Sequence, residues 1–163
     1  MSLNERPLVL LADDDAEDRM LICEAMEEAN AASDIKFVEN GEELMDYLLN
    51  QGRFEDKQEF PAPSIILLDL NMPKKDGREA LLEIKQHQHL RFIPVIILTT
   101  SSAEEDVIRT YQLGVNSYIT KPTSFTSLVD LLATITKYWL EIVKLPSNCL
   151  SSSVHKFSVA DKA

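Results

Sequence analysis

Ile65-Ile66-Leu67-Leu68 is an unbroken apolar run that climbs to one carboxylate, Asp69, and a turn rich in Pro, Asp and Gly follows at Asn71-Met72-Pro73-Lys74-Lys75-Asp76-Gly77. A run of this kind reads as a strand buried on both faces, as in a parallel sheet covered by helices. Open α/β sheets place their ligands at the carboxyl ends of such strands. Asp69 is therefore expected on the working edge of a sheet.

The remaining chain fits one layer of that kind. Pro7-Leu8-Val9-Leu10-Leu11-Ala12 is a second apolar run, ended abruptly by Asp13-Asp14-Asp15. The spacing predicts a helix over 16–29, with Asp15 as N-cap and Met20, Cys23 and Met26, flanked by Leu21, Ile22 and Ala25, at helical intervals. Ile35 to Val38 is a short strand, and Asn40-Gly41 turns into a helix whose Leu44/Leu48 and Met45/Leu49 pair at i,i+4. A long polar connector, Gln51 to Pro63, precedes the central strand and has room for a partial helical turn. A helix from about Arg78 to Gln86 follows, with Leu81, Leu82 and Ile84 as core candidates. Pro94 to Thr99 repeats the buried strand, and Ser102 is the expected cap of a helix that stops at Leu113-Gly114. Val115 to Thr120 is a fifth strand, ending at Lys121-Pro122. From Phe125 the residues Leu128, Leu132, Ile135, Trp139 and Ile142 mark one helical stripe, halted by Pro146. Five strands alternating with five helices give an α/β fold with a doubly wound parallel sheet. The expected domain covers 1–145; residues 146–163 are expected to be a mobile tail, too short for an effector domain.

Charge and composition narrow the function. The 163 residues carry 16 Lys and Arg against 27 Asp and Glu, a net charge of −11, which would repel a nucleic-acid backbone. Cys23 and Cys149 are the only cysteines, too few for a disulfide framework and suited to a reducing compartment. The N-terminus lacks a secretory pattern, and no apolar run approaches the roughly 18 residues of a spanning helix. A soluble cytoplasmic protein, away from membranes, is expected.

Four strand ends bring polar groups to one edge: Asp13 and Asp14, Asp69, Thr99, and Lys121. Three neighbouring carboxylates repel one another unless a cation neutralises them, and an oxygen-only set suits Mg²⁺. Lys121 can neutralise a transferring phosphoryl group and Thr99 can donate to one of its oxygens. Asp69 would then be the nucleophile that forms an aspartyl phosphate.

Asp13-Asp14, Leu68-Asp69-Leu70-Asn71-Met72-Pro73 with Asp76-Gly77, Ile97-Leu98-Thr99-Thr100 and Tyr118-Ile119-Thr120-Lys121-Pro122 together resemble the receiver domain of two-component response regulators. The likeness runs from about Leu8 to Leu145. It implies a flavodoxin-like sheet in the order 2-1-3-4-5, and a phosphoryl group donated by the phosphohistidine of a sensor histidine kinase. It also implies Asp14 and Asp69 as direct Mg²⁺ ligands, Asp13 acting through water, and Asn71 contributing its backbone carbonyl. Phosphorylation would draw Thr99 toward the phosphate and turn Tyr118 inward, reshaping the face of the fourth helix, fifth strand and fifth helix. The Lys121–Pro122 bond is expected to be cis by the same analogy. Such a domain is a phosphoacceptor with its own self-phosphorylation and self-dephosphorylation chemistry, not an enzyme acting on others. The 51–63 connector, Leu90-Arg91-Phe92-Ile93-Pro94, Thr99-Thr100-Ser101, Tyr111-Gln112-Leu113-Gly114 and Tyr138-Trp139-Leu140 resemble the single-domain regulators paired with bacterial phytochromes and hybrid kinases.

Rival readings separate on particular residues. A phosphatase forming an aspartyl phosphate wants a second acid two residues after the nucleophile; that position is Asn71. An intermediate phosphorelay shuttle differs only in returning its phosphoryl group to a histidine phosphotransfer protein. His87-Gln88-His89 reads as a solvated helix end, and Asp76-Gly77 as loop chemistry. Phe125, Leu131, Tyr138, Leu140 and Val143 add apolar surface beyond the final stripe, which points to a homodimer through the last two helices.

Overall fold

The computed structural model describes residues 6–146. Residues 147–163 of the expected tail, with Cys149, lie outside them. Five strands, β1 (Leu8–Ala12), β2 (Asp34–Val38), β3 (Ile65–Leu68), β4 (Val95–Thr99) and β5 (Ser117–Thr120), form one parallel sheet in the order β2-β1-β3-β4-β5. Helices α1 (Ala16–Glu28), α2 (Gly41–Leu48), α3 (Gly77–Gln86), α4 (Glu104–Gln112) and α5 (Phe125–Lys137) connect and cover it. This is the doubly wound sheet expected from the alternating pattern, in the flavodoxin-like order that the receiver-domain resemblance implies.

The two-residue period of the strands divides the core into two layers. Leu8, Leu10, Ile66, Leu68, Val95 and Ile97 face α2 and α3, meeting Leu44, Leu48, Leu81 and Ile84. Val9, Leu11, Ile65, Leu67, Ile96 and Leu98 face the other way, onto Ile22 and Met26 of α1 and Leu128, Leu132 and Ile135 of α5. The 51–63 connector holds a single 3-10 turn, Gly52–Phe54, and packs through its own aromatics. The Phe54 and Phe60 rings stack edge-on at 5.0 Å against Tyr47, whose hydroxyl donates to the Pro61 carbonyl.

Several sequence expectations are corrected. Met20 is 61% exposed and Leu21 is also outward, while Ile22, Ala25 and Met26 face the sheet. Apolar residues lie all round α1, so spacing alone selects no face. Leu82 is exposed rather than core, because Ala80, Leu81 and Ile84 complete the buried side of α3. The cap of α4 is Ala103, not Ser102; Ser101 supplies the hydroxyl that accepts from the Ala103 N–H. β5 begins at Ser117, since Val115 is spent in the turn after Gly114, with its N–H bonded to the Thr110 carbonyl. The last stripe breaks after Trp139: α5 ends at Lys137, a π-helical turn spans Tyr138–Ile142, and Ile142 is 63% exposed. No cis peptide bond occurs among the described residues, so Lys121–Pro122 is trans, the lower-energy isomer before proline by roughly 0.5–1 kcal/mol.

Candidate functional site

Register builds the site. Ala12 pairs with Leu68, and Leu68 with Ile97, so Asp13 and Asp69 leave their strands side by side. The Asp69 N–H donates to the Ala12 carbonyl, which extends the ladder to Asp69 itself. Thr99 pairs with Thr120, and the Lys121 N–H donates to the Thr99 carbonyl, placing Lys121 across the same edge. Asp13 and Thr99 are fully buried, Asp69 is nearly so, and Asp14 is exposed at the rim.

The side chains converge as expected from the strand ends. Thr99 Oγ1 donates to Asp69 Oδ1 at 2.9 Å, and the Asn71 N–H reaches the same oxygen at 3.3 Å. Lys121 Nζ donates to Asp13 Oδ2 at 2.8 Å, to Asp18 Oδ2 at 2.7 Å and to Asp69 Oδ2 at 3.4 Å. Burial disfavours the Lys121 charge, but the bonds it donates to Asp13 and Asp18 and the nearby carboxylates outweigh it and hold the ammonium above its ordinary range. Burial pushes the Asp13 carboxyl up, against the bonds from Lys121 and the Asp15 N–H. Asp13 is thus a buried acid whose charge needs a cation.

Carboxylate oxygens of Asp13, Asp14 and Asp69 lie within 4.8 Å of one another, the one such cluster among the described residues. The donor set is all oxygen, with Asp13 and Asp69 buried and Asp14 open to solvent, so it fits a hard divalent cation. His87 and His89 take no part. His87 Nδ1 accepts the N–H groups of His89 and Leu90, so it closes the end of α3.

Asp18 is the site residue the sequence did not disclose. It reads as a first-turn acid of α1, and its partner Lys121 lies 103 residues away. Asp76, read as loop chemistry, is the N-cap of α3 in a capping box with Glu79. That cap fixes the wall behind Asp69. A Cβ added to Gly77 would sit 2.3 Å from the Asp69 carbonyl oxygen, and the Gly77 N–H donates to the Leu70 carbonyl. Tyr118 is half-buried against the core, and its hydroxyl donates to the Ser101 carbonyl at 2.8 Å.

Comparison with known proteins agrees with this geometry. The chain matches the response regulator receiver domain over residues 9–133. It is 42% identical over 144 residues to the response regulator Rcp1 of Synechocystis, covering 88% of this chain and 96% of Rcp1. The crystal structure of the phosphorylated cyanobacterial phytochrome response regulator RcpA superposes with a TM-score of 0.81 at 39% identity, covering 88% of this chain and 100% of RcpA. The Mn²⁺-bound form of Rcp1 gives a TM-score of 0.78 at 42% identity, over 86% and 99% of the two chains. With its acid cluster, threonine and lysine at the matched strand ends, the chain belongs to the response regulator receiver domain family of two-component systems.

Proposed function

We propose that the chain accepts a phosphoryl group on Asp69 from the phosphohistidine of a sensor histidine kinase of the phytochrome or hybrid type. The observation that carries this reading is the convergence of Thr99 and Lys121 on the two oxygens of a carboxylate that shares its pocket with Asp13 and Asp14. An Asp69 oxygen forms the new O–P bond while the P–N bond of the donor breaks, and the electron pair returns to the imidazole. Lys121 neutralises charge on the phosphoryl oxygens, and the Thr99 hydroxyl leaves Asp69 Oδ1 to donate to one of them. Asp13, Asp14 and Asp69, with the Asn71 carbonyl, are the residues that would hold Mg²⁺, which when bound supplies charge neutralisation to the phosphoryl group. Hydrolysis reverses the state: water forms a bond to phosphorus, the O–P bond to Asp69 breaks, and the carboxylate and inorganic phosphate are released.

The output in this reading is contact with proteins in the cytoplasm. The receiver unit is 1–145. The surface that serves is α4, β5 and α5, where Ile108, Tyr111, Phe125 and Tyr138 are exposed. Apolar side chains on one side of a receiver fit a second copy of the chain. RcpA is a cyanobacterial phytochrome response regulator, and RPA3017 of R. palustris, 34% identical with a TM-score of 0.83, is a response regulator in red-light signalling, which supports a light-sensing kinase as donor.

The test is direct. Incubation with a small phosphodonor and Mg²⁺ labels the wild-type protein, and Asp69→Ala does not label. Equal labelling of the alanine variant would remove Asp69 from its role.

A further inference from the structure

A second polar chain runs from α3 to the proposed output face without touching the phosphoacceptor site. Arg78, the residue after Gly77, aims two donors at one oxygen of Asp106: Nε at 3.0 Å and Nη2 at 2.8 Å from Oδ1. The other oxygen, Oδ2, accepts the Ser101 hydroxyl at 2.7 Å. The Ser101 backbone carbonyl in turn accepts the Tyr118 hydroxyl at 2.8 Å. Asp106 therefore has both oxygens occupied, one from α3 and one from the loop that leads from Thr99 to α4. The Ser101 and Arg78 bonds hold its carboxyl below the ordinary value.

The two ends of this chain differ in stiffness. Arg78 stands on the first turn of a capped helix whose backbone bears on Asp69 and Leu70. On the other side, α4 contributes one buried residue, Thr110, and its cap lacks a side-chain bond. A helix so lightly packed depends on polar tethers for its placement. The Arg78–Asp106 pair, with side chains 23% and 17% exposed, is the ion pair that ties α4 to the rest of the domain among the described residues. Ser101 is two residues beyond Thr99, so any movement of Thr99 bears on the loop this tether holds.

We propose that Arg78 and Asp106 are positioning residues that set the balance of the Tyr118 switch. Together they hold the Ser101 carbonyl where the Tyr118 hydroxyl reaches it. The proposal rests on Asp69 as phosphoacceptor for its meaning in signalling, but its structural content stands apart. Arg78 acts through its planar fork, in which two N–H groups meet one oxygen; lysine offers no equivalent.

Fluorotyrosine-labelled protein, with the Tyr118 fluorine resonance assigned through Tyr118→Phe, reads the switch in full-length chain. Arg78→Lys, Arg78→Ala, Asp106→Ala and Ser101→Ala are each expected to move the Tyr118 resonance several-fold in population toward a second position. The double variant Arg78→Ala/Asp106→Ala is expected to move it no further than either single change, as for residues acting as one unit. Ser101→Ala lies in a surface loop and deletes one hydroxyl, so it carries the test if an Arg78 or Asp106 variant fails to fold. An unmoved resonance in Ser101→Ala and Asp106→Ala, or full additivity in the double variant, overturns the proposal. Labelling by a phosphodonor with Mg²⁺ is measured in parallel. Its absence in the wild type would sink the phosphoacceptor reading, while the tyrosine resonance would still decide the tether.

Discussion

Lys121 carries the heaviest electrostatic duty of any single residue. It faces Asp13, Asp18 and Asp69 from a position 11% exposed, against an Asp13 side chain with no exposure. Removing one partner from a buried charge cluster typically costs about 3–5 kcal/mol. Lys121→Met should lower the unfolding free energy, read from denaturant titration, by an amount in that range in the absence of metal. Added Mg²⁺ should then recover more stability in the variant than in wild type, because the cation substitutes for the lost ammonium. Titrating Mg²⁺ against melting temperature in both proteins reads the difference. Asp106 gives the opposite kind of prediction. Its folded carboxyl is held below its ordinary 3.8, so the unfolded chain takes up the proton first as pH falls. The stability it contributes is complete above that ordinary value and is lost as pH drops through the folded one. The gap in denaturant midpoint between wild type and Asp106→Asn should therefore be widest near neutral pH and shrink as pH falls below 3.8.

At the scale of elements, strands were legible and helix faces less so. The runs before Asp13, Asp69 and Thr99 could be placed because both faces of a central strand are apolar, leaving no register to misjudge. The face of α1 could not, since Met20 and Leu21 compete with Ile22 and Met26 and only the sheet decides between them. Asp13, Asp14, Asp69, Thr99 and Lys121 were readable because each ends or follows a strand. Asp18 and the Arg78–Asp106 pair were not, because contacts spanning 103 and 28 residues leave no local pattern. Helix α3 shows how an element serves the site through its start. Asp76→Ala removes a cap and should cost about 1 kcal/mol, with phosphorylation of Asp69 retained. Gly77→Ala drives a Cβ against the Asp69 carbonyl and should cost about 1–3 kcal/mol. It should also slow labelling, because the backbone of Asp69, the proposed phosphoacceptor, must shift. Thermal melts and phosphodonor kinetics on the pair separate capping from contact.

For the molecule as a whole, a net charge of −11 and the exposed apolar residues Ile108, Tyr111, Phe125 and Tyr138 set the expectation for how it meets other proteins. Like-charged copies repel except where apolar area outweighs the field, so self-association should be confined to that face and strengthened by salt. Among the described residues no helix is long and apolar enough to cross a membrane. Beryllofluoride with Mg²⁺ should raise the solution mass toward that of a dimer, and Tyr111→Glu, which puts a charge on half-exposed apolar surface, should hold it at one chain while phosphodonor labelling persists. Light scattering on the two proteins checks both halves of that expectation.

The Lys121 ammonium has three N–H bonds, and three carboxylates take them. It is a donor of fixed valence that is already saturated. A phosphoryl oxygen arriving at Asp69 cannot simply be added to its partners; one carboxylate has to be exchanged for it. The contact at 3.4 Å is the longest of the three, and it belongs to the carboxylate that the proposed phosphorylation would convert to an acyl phosphate. Phosphorylation at Asp69, as proposed, would vacate the coordination place that its product needs, and the lysine would change ligand without changing its count.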